Sequence, residues 1–485
     1  MNKTLRRFPR SIIRMSLAAL LAAGAVNVQA AELFVGVTTT DITPKEPVAQ
    51  IGSFSLRVAK KVESPLTATV LVLESREGEK VLDQAVMVSC DICVIRGGLE
   101  EMVRERVKSR IAGLDVKKLF LSATHTHTTP VTSEGNFAVP KDMMQPAGYR
   151  RFFSDRVADA VVKAWQGRKP GGVSWGLGHA VVANNRRAVY ADGSAQMYGK
   201  TNRPDFRGIE GYEDHGVGVL FFWNDQKKLI AMAVDVACPA QEVEGHTALN
   251  ADFWHETREL VRKKYGKDLC VLAWCGAAGD QSPHLMYNRA AEERMRKLRG
   301  LTRLEEIARR IGRAVDDAYE VAKDDIRTEL PLIHKAEEIE IPRRIVTAEK
   351  CAAAKAQAER FSKDDRNRRR YMWYQEIVDR YASQKEQPNY RMELHVIRLG
   401  DVAICTNPFE LFTDYGIRMQ ARSRAVQTFA IQLVGSGTYV PTARAVKGGG
   451  YSAIVESSRV GPKGAQVLVD KTVDAINSLW PTPKR

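Results

Sequence analysis

The stretch Leu119-Phe-Leu-Ser-Ala-Thr-His-Thr-His-Thr-Thr-Pro130 decides how the chain reads. Residues 118–123 form an apolar run of strand length, and His125 and His127 follow it two apart. On a strand, residues i and i+2 face the same way, so the pair is expected to project into one cleft. The threonines around it can orient imidazoles by hydrogen bonds. The chain has nine histidines in 485 residues, so a local pair calls for a reason. Taken alone, two readings stay open: metal ligands, or structural histidines at a loop entrance.

Upstream, residues 33–44, LFVGVTTTDITP, read as an edge strand turning at Pro44. Residues 67–74 and 80–89 read as strands joined by the polar turn Ser75-Arg-Glu-Gly78, and 96–113 as a helix. Downstream, 150–167 is helical in period and stopped by Gly167 and Pro170. Strands are expected at 173–182, 217–223, 229–238, 269–274, 393–397 and 402–405, and helices at 253–265 and 302–322. This alternation predicts an α/β fold with a substantial sheet. Residues 346–388 differ: they are dense in Lys, Arg and Glu, with Met372, Trp373, Tyr374 and Ile377 at helical spacing. They read as a helical excursion, either a surface hairpin or a lid.

Residues 1–30 read as a secretory leader: Lys3, Arg6, Arg7, Arg10 and Arg14, a short apolar run, and Val28-Gln29-Ala30 as cleavage site. The mature chain, 31–485, is then exported, periplasmic or secreted. No stretch is long and apolar enough for a membrane span. The net charge of +15 falls to about +10 without the leader's five basic residues. Such a surface suits peripheral contact with anionic surfaces or polyanionic substrates. No basic stripe interleaved with aromatics points to nucleic acid. The seven cysteines are odd in number and lie mostly in apolar runs, so buried free thiols are expected. Cys90-Asp-Ile-Cys93 has redox-motif spacing without a thioredoxin-like context.

Four more clusters carry polar chemistry. Residues 237–256 gather Glu242, Glu244, His246, Asp252, His255 and Glu256 behind an apolar strand, ligand types that zinc accepts. Cys275-Gly-Ala-Ala-Gly-Asp-Gln-Ser-Pro-His284 puts Asp280, Ser282 and His284 at a strand's end, where α/β proteins place sites. Asn407-Pro-Phe-Glu410 follows the strand at 402–405. Gly437-Thr-Tyr-Val-Pro441 and Gly448-Gly-Gly-Tyr451 contribute two tyrosines and backbone suited to close approach.

DITP at 41–44, SATHTHT at 122–128, Asn185-Arg186, GDQSP at 279–283, Pro408-x-Glu410, Tyr439-Val-Pro-Thr and Tyr451 occur in an order that resembles the neutral, non-lysosomal ceramidase family. The resemblance spans most of residues 33–455. It implies multilayered mixed β-sheets flanked by helices, and a zinc-dependent amidohydrolase that cleaves an amide with metal-activated water. Carried over residue by residue, it implies His125, Glu410 and Tyr439 as zinc ligands. It implies His127, Arg186 and Tyr451 as catalytic groups, and Ser282 beside them. Two departures stand out. Where the family has a second zinc histidine, this chain reads Ala237-Cys238-Pro239, which leaves Cys238, Gln241, Glu242 or His246 as the fourth ligand. The family's C-terminal immunoglobulin-like domain is not expected within 485 residues. A lipid, a glycan or another small molecule is the expected substrate. The alternatives are a polysaccharide- or amino-sugar-active enzyme on the same fold, or a degenerate metal-free binding protein.

Overall fold

The computed structural model describes residues 30–481. The leader expected at 1–30 lies, but for Ala30, outside the described residues. Strands β1 Ala31–Asp41, β2 Thr67–Glu77, β3 Lys80–Cys90, β4 Leu119–Ala123, β5 Lys169–His179, β6 Gly216–Asn224, β7 Leu229–Val236 and β8 Cys270–Cys275 form one mixed sheet. Its order is β8-β7-β6-β5-β1-β2-β3-β4, with the short strand Glu329–Leu330 joined to β1. Next come β9 Leu332–Pro342, β10 Asn389–Leu399, β11 Val402–Thr406, β12 Glu410–Leu411, β13 Gln427–Ile431 and β14 Tyr439–Val440. The order β9-β10-β11-β13 makes a second sheet, and β12 pairs with β14. The helices used below are α1 Leu99–Lys108, α2 Pro146–Gln166, α3 Phe253–Tyr265, α4 Arg303–Ala322, α5 Ala348–Phe361, α6 Arg368–Ser383 and α7 Pro462–Asn477.

The layers follow from side-chain alternation. Along β2, Val70 and Val72 pack toward α1 and α2, while Leu71 and Leu73 meet the second sheet. Along β6, Val219 and Phe221 face α3 and α4, while Leu220 and Phe222 face inward with Ile404 and Phe429. In β11, Ala403 and Cys405 turn outward to α7 and its neighbours. The result is helix, sheet, sheet, helix, an α/β fold of stacked mixed sheets. Strands buried on both faces explain why these runs are apolar throughout instead of alternating. Each fully buried Val, Leu or Phe contributes roughly 1.5–3 kcal/mol. Thr302 and Glu305 close a capping box at the start of α4.

Two expectations need correction. β1 is not an edge strand: it pairs with β2 over its length and with β5 through Phe34 and Val35. The strand expected from 173 begins at Lys169, because Pro170 sits opposite Phe34 at the end of that ladder. Residues 346–388 do hold a pair of helices, α5 and α6. Among the described residues no helix is long and apolar enough to cross a membrane.

Within the two large sheets, three neighbouring pairs run parallel: β3 with β4, β7 with β8, and β11 with β13. Register brings each pair's C-terminal ends level, at Cys90↔Ala123, Val236↔Cys275 and Thr406↔Ile431. The loops leaving those ends carry Cys93 and His125, Gln241 and Gly279, and Glu410 and Tyr439. Parallel strand ends are the usual place for α/β sites, and here they feed one cleft.

Candidate active site

His125 leaves β4 with φ +66°, the left-handed region that non-glycine residues seldom adopt. Its ring is buried, with Nδ1 2.6 Å from the Cys93 carbonyl oxygen. A proton on Nδ1 then donates to that carbonyl and leaves the Nε2 lone pair facing the cleft. Nε2 lies 3.3 Å from Glu410 Oε2 and 3.4 Å from His127 Nε2. Donors held about 2.0–2.1 Å from one tetrahedral metal sit about 3.3–3.4 Å apart. The His125–Glu410 separation therefore fits two donors on one divalent ion, with His127 beside it.

Cys93, expected from the sequence as a buried thiol, belongs to this group. Cys93, His125 and His127 each offer a donor atom within 4.8 Å of the others. Burial pushes the Cys93 thiol up, but His127 and His125 more than reverse this and bring it down to about 5. Burial likewise opposes charge on His125, and Cys93 and Glu410 overcome it, holding the imidazole up at about 10. Burial also opposes ionisation of Glu410, which His125 holds down at about 2. Thiolate and carboxylate are the forms that bind a metal, and an ion can take the place of the imidazolium proton between them. All seven cysteines are free.

Glu410 and Tyr439 are opposite each other in the β12–β14 ladder. Gly279 makes the close packing behind Glu410 feasible: a Cβ there would lie 2.2 Å from the Glu410 carbonyl oxygen. The Tyr439 hydroxyl accepts from Arg186 Nη2 at 3.3 Å. Burial, then Glu410, raises this phenol well above the ordinary range. Arg186 is buried and also donates to Tyr198 Oη (3.2 Å), Gln241 Oε1 (3.0 Å) and the Gly279 carbonyl (3.0 Å). Tyr451 meets Tyr439, Trp373 and Phe54 across the cleft, with ring centroids 5.7, 6.1 and 6.1 Å apart. Ser282 stands further back. Its Oγ accepts from Tyr198 Oη at 3.1 Å and lines neither arm of the cleft.

The four candidates for the missing ligand separate cleanly. Gln241 reaches the site, with Nε2 2.8 Å from His127 Nε2. Cys238 is fully buried, its Sγ 3.5 Å from the Pro239 carbonyl, in the core under α3. Glu242 faces Arg303 at 3.4 Å, and His246 faces Glu63 at 2.8 Å. Glu244 was grouped with this segment in sequence, and it places Oε2 3.2 Å from His127 Nδ1. Gly52, at φ +94°, packs so closely on His127 that a Cβ would fall 2.5 Å from the ring. Arg57 clamps the same histidine from behind, donating to its carbonyl oxygen at 2.6 Å.

The cleft has two arms that meet at His127, Tyr439 and Tyr451, each roughly 450 Å³. One is walled by Arg96, Arg369, Trp373 and Phe54, the other by Arg186, Met197, Tyr198 and Glu244. The signal that would have found Cys93 is its position: it follows β3 just as His125 follows β4.

No protein-family model and no curated protein matches the sequence significantly. Solved structures do match. A neutral ceramidase from Pseudomonas aeruginosa aligns with TM-score 0.68 at 16% identity, over 94% of this chain and 76% of that one. A second structure, described as ceramidase complexed with C2, aligns with TM-score 0.65 at 14% identity, over 93% and 75%. The chain has the neutral-ceramidase fold.

Proposed function

We propose that the protein is an exported, metal-dependent hydrolase that cleaves an amide bond, with zinc as the metal. The observation that carries this reading is the gathering of three donors at the meeting of two cleft arms: His125 Nε2 lies 3.3 Å from Glu410 Oε2, and Cys93 offers its sulfur within 4.8 Å of a His125 ring nitrogen. His125, Glu410 and Tyr439 would hold the ion, with Cys93 taking the place of the histidine absent at Cys238-Pro239. A bound zinc ion supplies Lewis acidity and brings a water's pKa toward about 7.

The chain's own residues do the remaining work. His127, fixed by Glu244 on Nδ1 and by Gln241 near Nε2, takes a proton at Nε2 and returns it to the leaving amine. Arg186 donates toward Tyr439 and favours its phenolate. The Tyr451 hydroxyl stays protonated, because burial and then Glu410 push it up to about 12. It is thus a donor for the oxyanion that forms as the carbonyl is attacked. The likeness in fold supports an N-acyl lipid as substrate class.

A fluorogenic ceramide and a simple fluorogenic fatty amide test this reading. Hydrolysis of either should vanish on chelation and return with zinc. Hydrolysis that ignores the chelator, or no hydrolysis by zinc-loaded protein of these or of an N-acyl amino acid, would contradict it.

A further inference from the structure

One arm of the cleft holds two guanidiniums with no direct ion pair among the described residues. Arg96 and Arg369 both line it, and among the described residues neither has a carboxylate within 4.0 Å. Arg96 gives Nη2 to the Gly437 carbonyl at 2.7 Å, while its Nε is buried with no acceptor. Among the described residues the Arg369 guanidinium has no hydrogen-bond partner, and it lies between the Phe54 and Phe137 rings, at 5.7 and 5.5 Å. Glu376, Asp379, Glu410 and Glu456 line the same arm, and among the described residues none forms an ion pair with Arg96 or Arg369. Glu376 holds Arg459 at 2.6 Å, Glu410 faces His125, and Asp379 accepts from Gln375 at 2.9 Å. Among the described residues Glu456 forms no ion pair within 4.0 Å, and it is not among the main charges acting on Arg369. Burial lowers the Arg369 pKa and Arg96 lowers it further, against Cys93, Tyr451 and Glu410, which raise it.

Two guanidiniums facing one desolvated space repel each other and go short of acceptors, which is costly unless something arrives to pair them. Each is a planar fork suited to two oxygens of an oxyanion. Trp373, Met372 and Phe54 supply the apolar wall beside them. A neutral sphingoid headgroup offers only hydroxyls and would leave both charges unpaired.

We propose that Arg96 and Arg369 bind an oxyanion carried by the substrate, so that the protein acts on anionic N-acyl compounds such as N-acyl amino acids. The inference rests on the amidase reading of the cleft and narrows its substrate. The α6 helix then serves specificity: it delivers Arg369 and Trp373 together to the arm opposite Tyr198.

The test titrates zinc-loaded full-length protein with N-dodecanoylglycine, its methyl ester and N-dodecanoyltaurine, by calorimetry and tryptophan fluorescence, with inorganic sulfate as competitor. The carboxylate should bind at least about ten-fold tighter than the ester, and sulfate should weaken it. The taurine conjugate tells whether a sulfonate serves as well as a carboxylate. R96M and R369M should each erase the preference, with melting temperature and zinc content unchanged. Equal affinity for acid and ester, a preference that survives both variants, or no saturable binding of either anion would overturn the proposal. Arginine-dependent binding without hydrolysis would sink the hydrolase reading and keep the anion site. Hydrolysis of neutral amides with no preference for acids would do the reverse.

Discussion

Glu410 and Tyr439 are direct partners in the parallel β12–β14 ladder, so the backbone itself sets a carboxylate beside a phenol. The change Tyr439→Phe removes the hydroxyl and leaves that ladder intact. Zinc affinity should fall about 10–100-fold, the range found when a group supporting or completing a metal site is lost. Competition against a chromophoric chelator reads the change. Unaltered affinity would take Tyr439 out of the metal site.

Cys93 gives the site a sulfur donor, and sulfur has an optical signature. Protein loaded with cobalt(II) should show a thiolate-to-cobalt charge-transfer band in the near ultraviolet. The band should disappear in Cys93→Ser and persist in Cys238→Ser, because Cys238 is buried in the core beneath α3. A band lost only with Cys238 would reverse the assignment.

His127 is held between Glu244 and Gln241, and the proposed role for it is proton transfer. His127→Gln should keep bound zinc and lower kcat by roughly 10²–10⁴-fold. Steady-state kinetics with parallel metal analysis checks both halves. Near-normal turnover would assign the base elsewhere.

Asp235 on β7 provides a pH test away from the cleft. Its Oδ1 is buried without a hydrogen-bond partner among the described residues, and burial, then Asp214, raises its pKa to about 7. The unfolded value is about 3.9. Between these values the folded protein keeps a proton that the unfolded chain releases. Its contribution is therefore full below about pH 4 and lost as pH rises through about 7. Asp235→Asn should gain on wild type over that window and level off above it, by an amount on the order of 4 kcal/mol at about 1.4 kcal/mol per pK unit. Urea denaturation at pH 5 and pH 8 measures this. An advantage independent of pH would refute it.

Much of this organisation was legible in the chain. Phe253–Tyr265 has the same ends in sequence and structure, because Asp252 caps its first turn and Gly266 follows its last. The runs that became β2, β3 and β6 were legible because both faces are buried. β9 went unread: Lys335, Glu337, Glu338 and Glu340 interrupt it, as suits an edge strand exposed on one side. β1 reads as an edge strand in sequence, yet it lies inside the sheet, where Thr39 bonds Thr69 across to β2 at 3.1 Å. At the site, His125, Glu410 and Tyr439 came from the resemblance, and the structure gathers them in one cleft. Cys93 escaped because its partner His125 lies 32 residues away, and only the parallel register of β3 and β4 makes them neighbours. Arg96 and Arg369 escaped for the same reason, coming from a loop after β3 and from α6.

The metal itself is the point on which the rest depends. Elemental analysis after zinc loading and exhaustive dialysis, on wild type and Glu410→Ala side by side, measures it. One zinc per wild-type chain is expected, and none in the variant, with circular dichroism showing both folded. A wild type that retains no zinc, or a folded Glu410→Ala that retains all of it, would contradict the metal-dependent reading of the cleft.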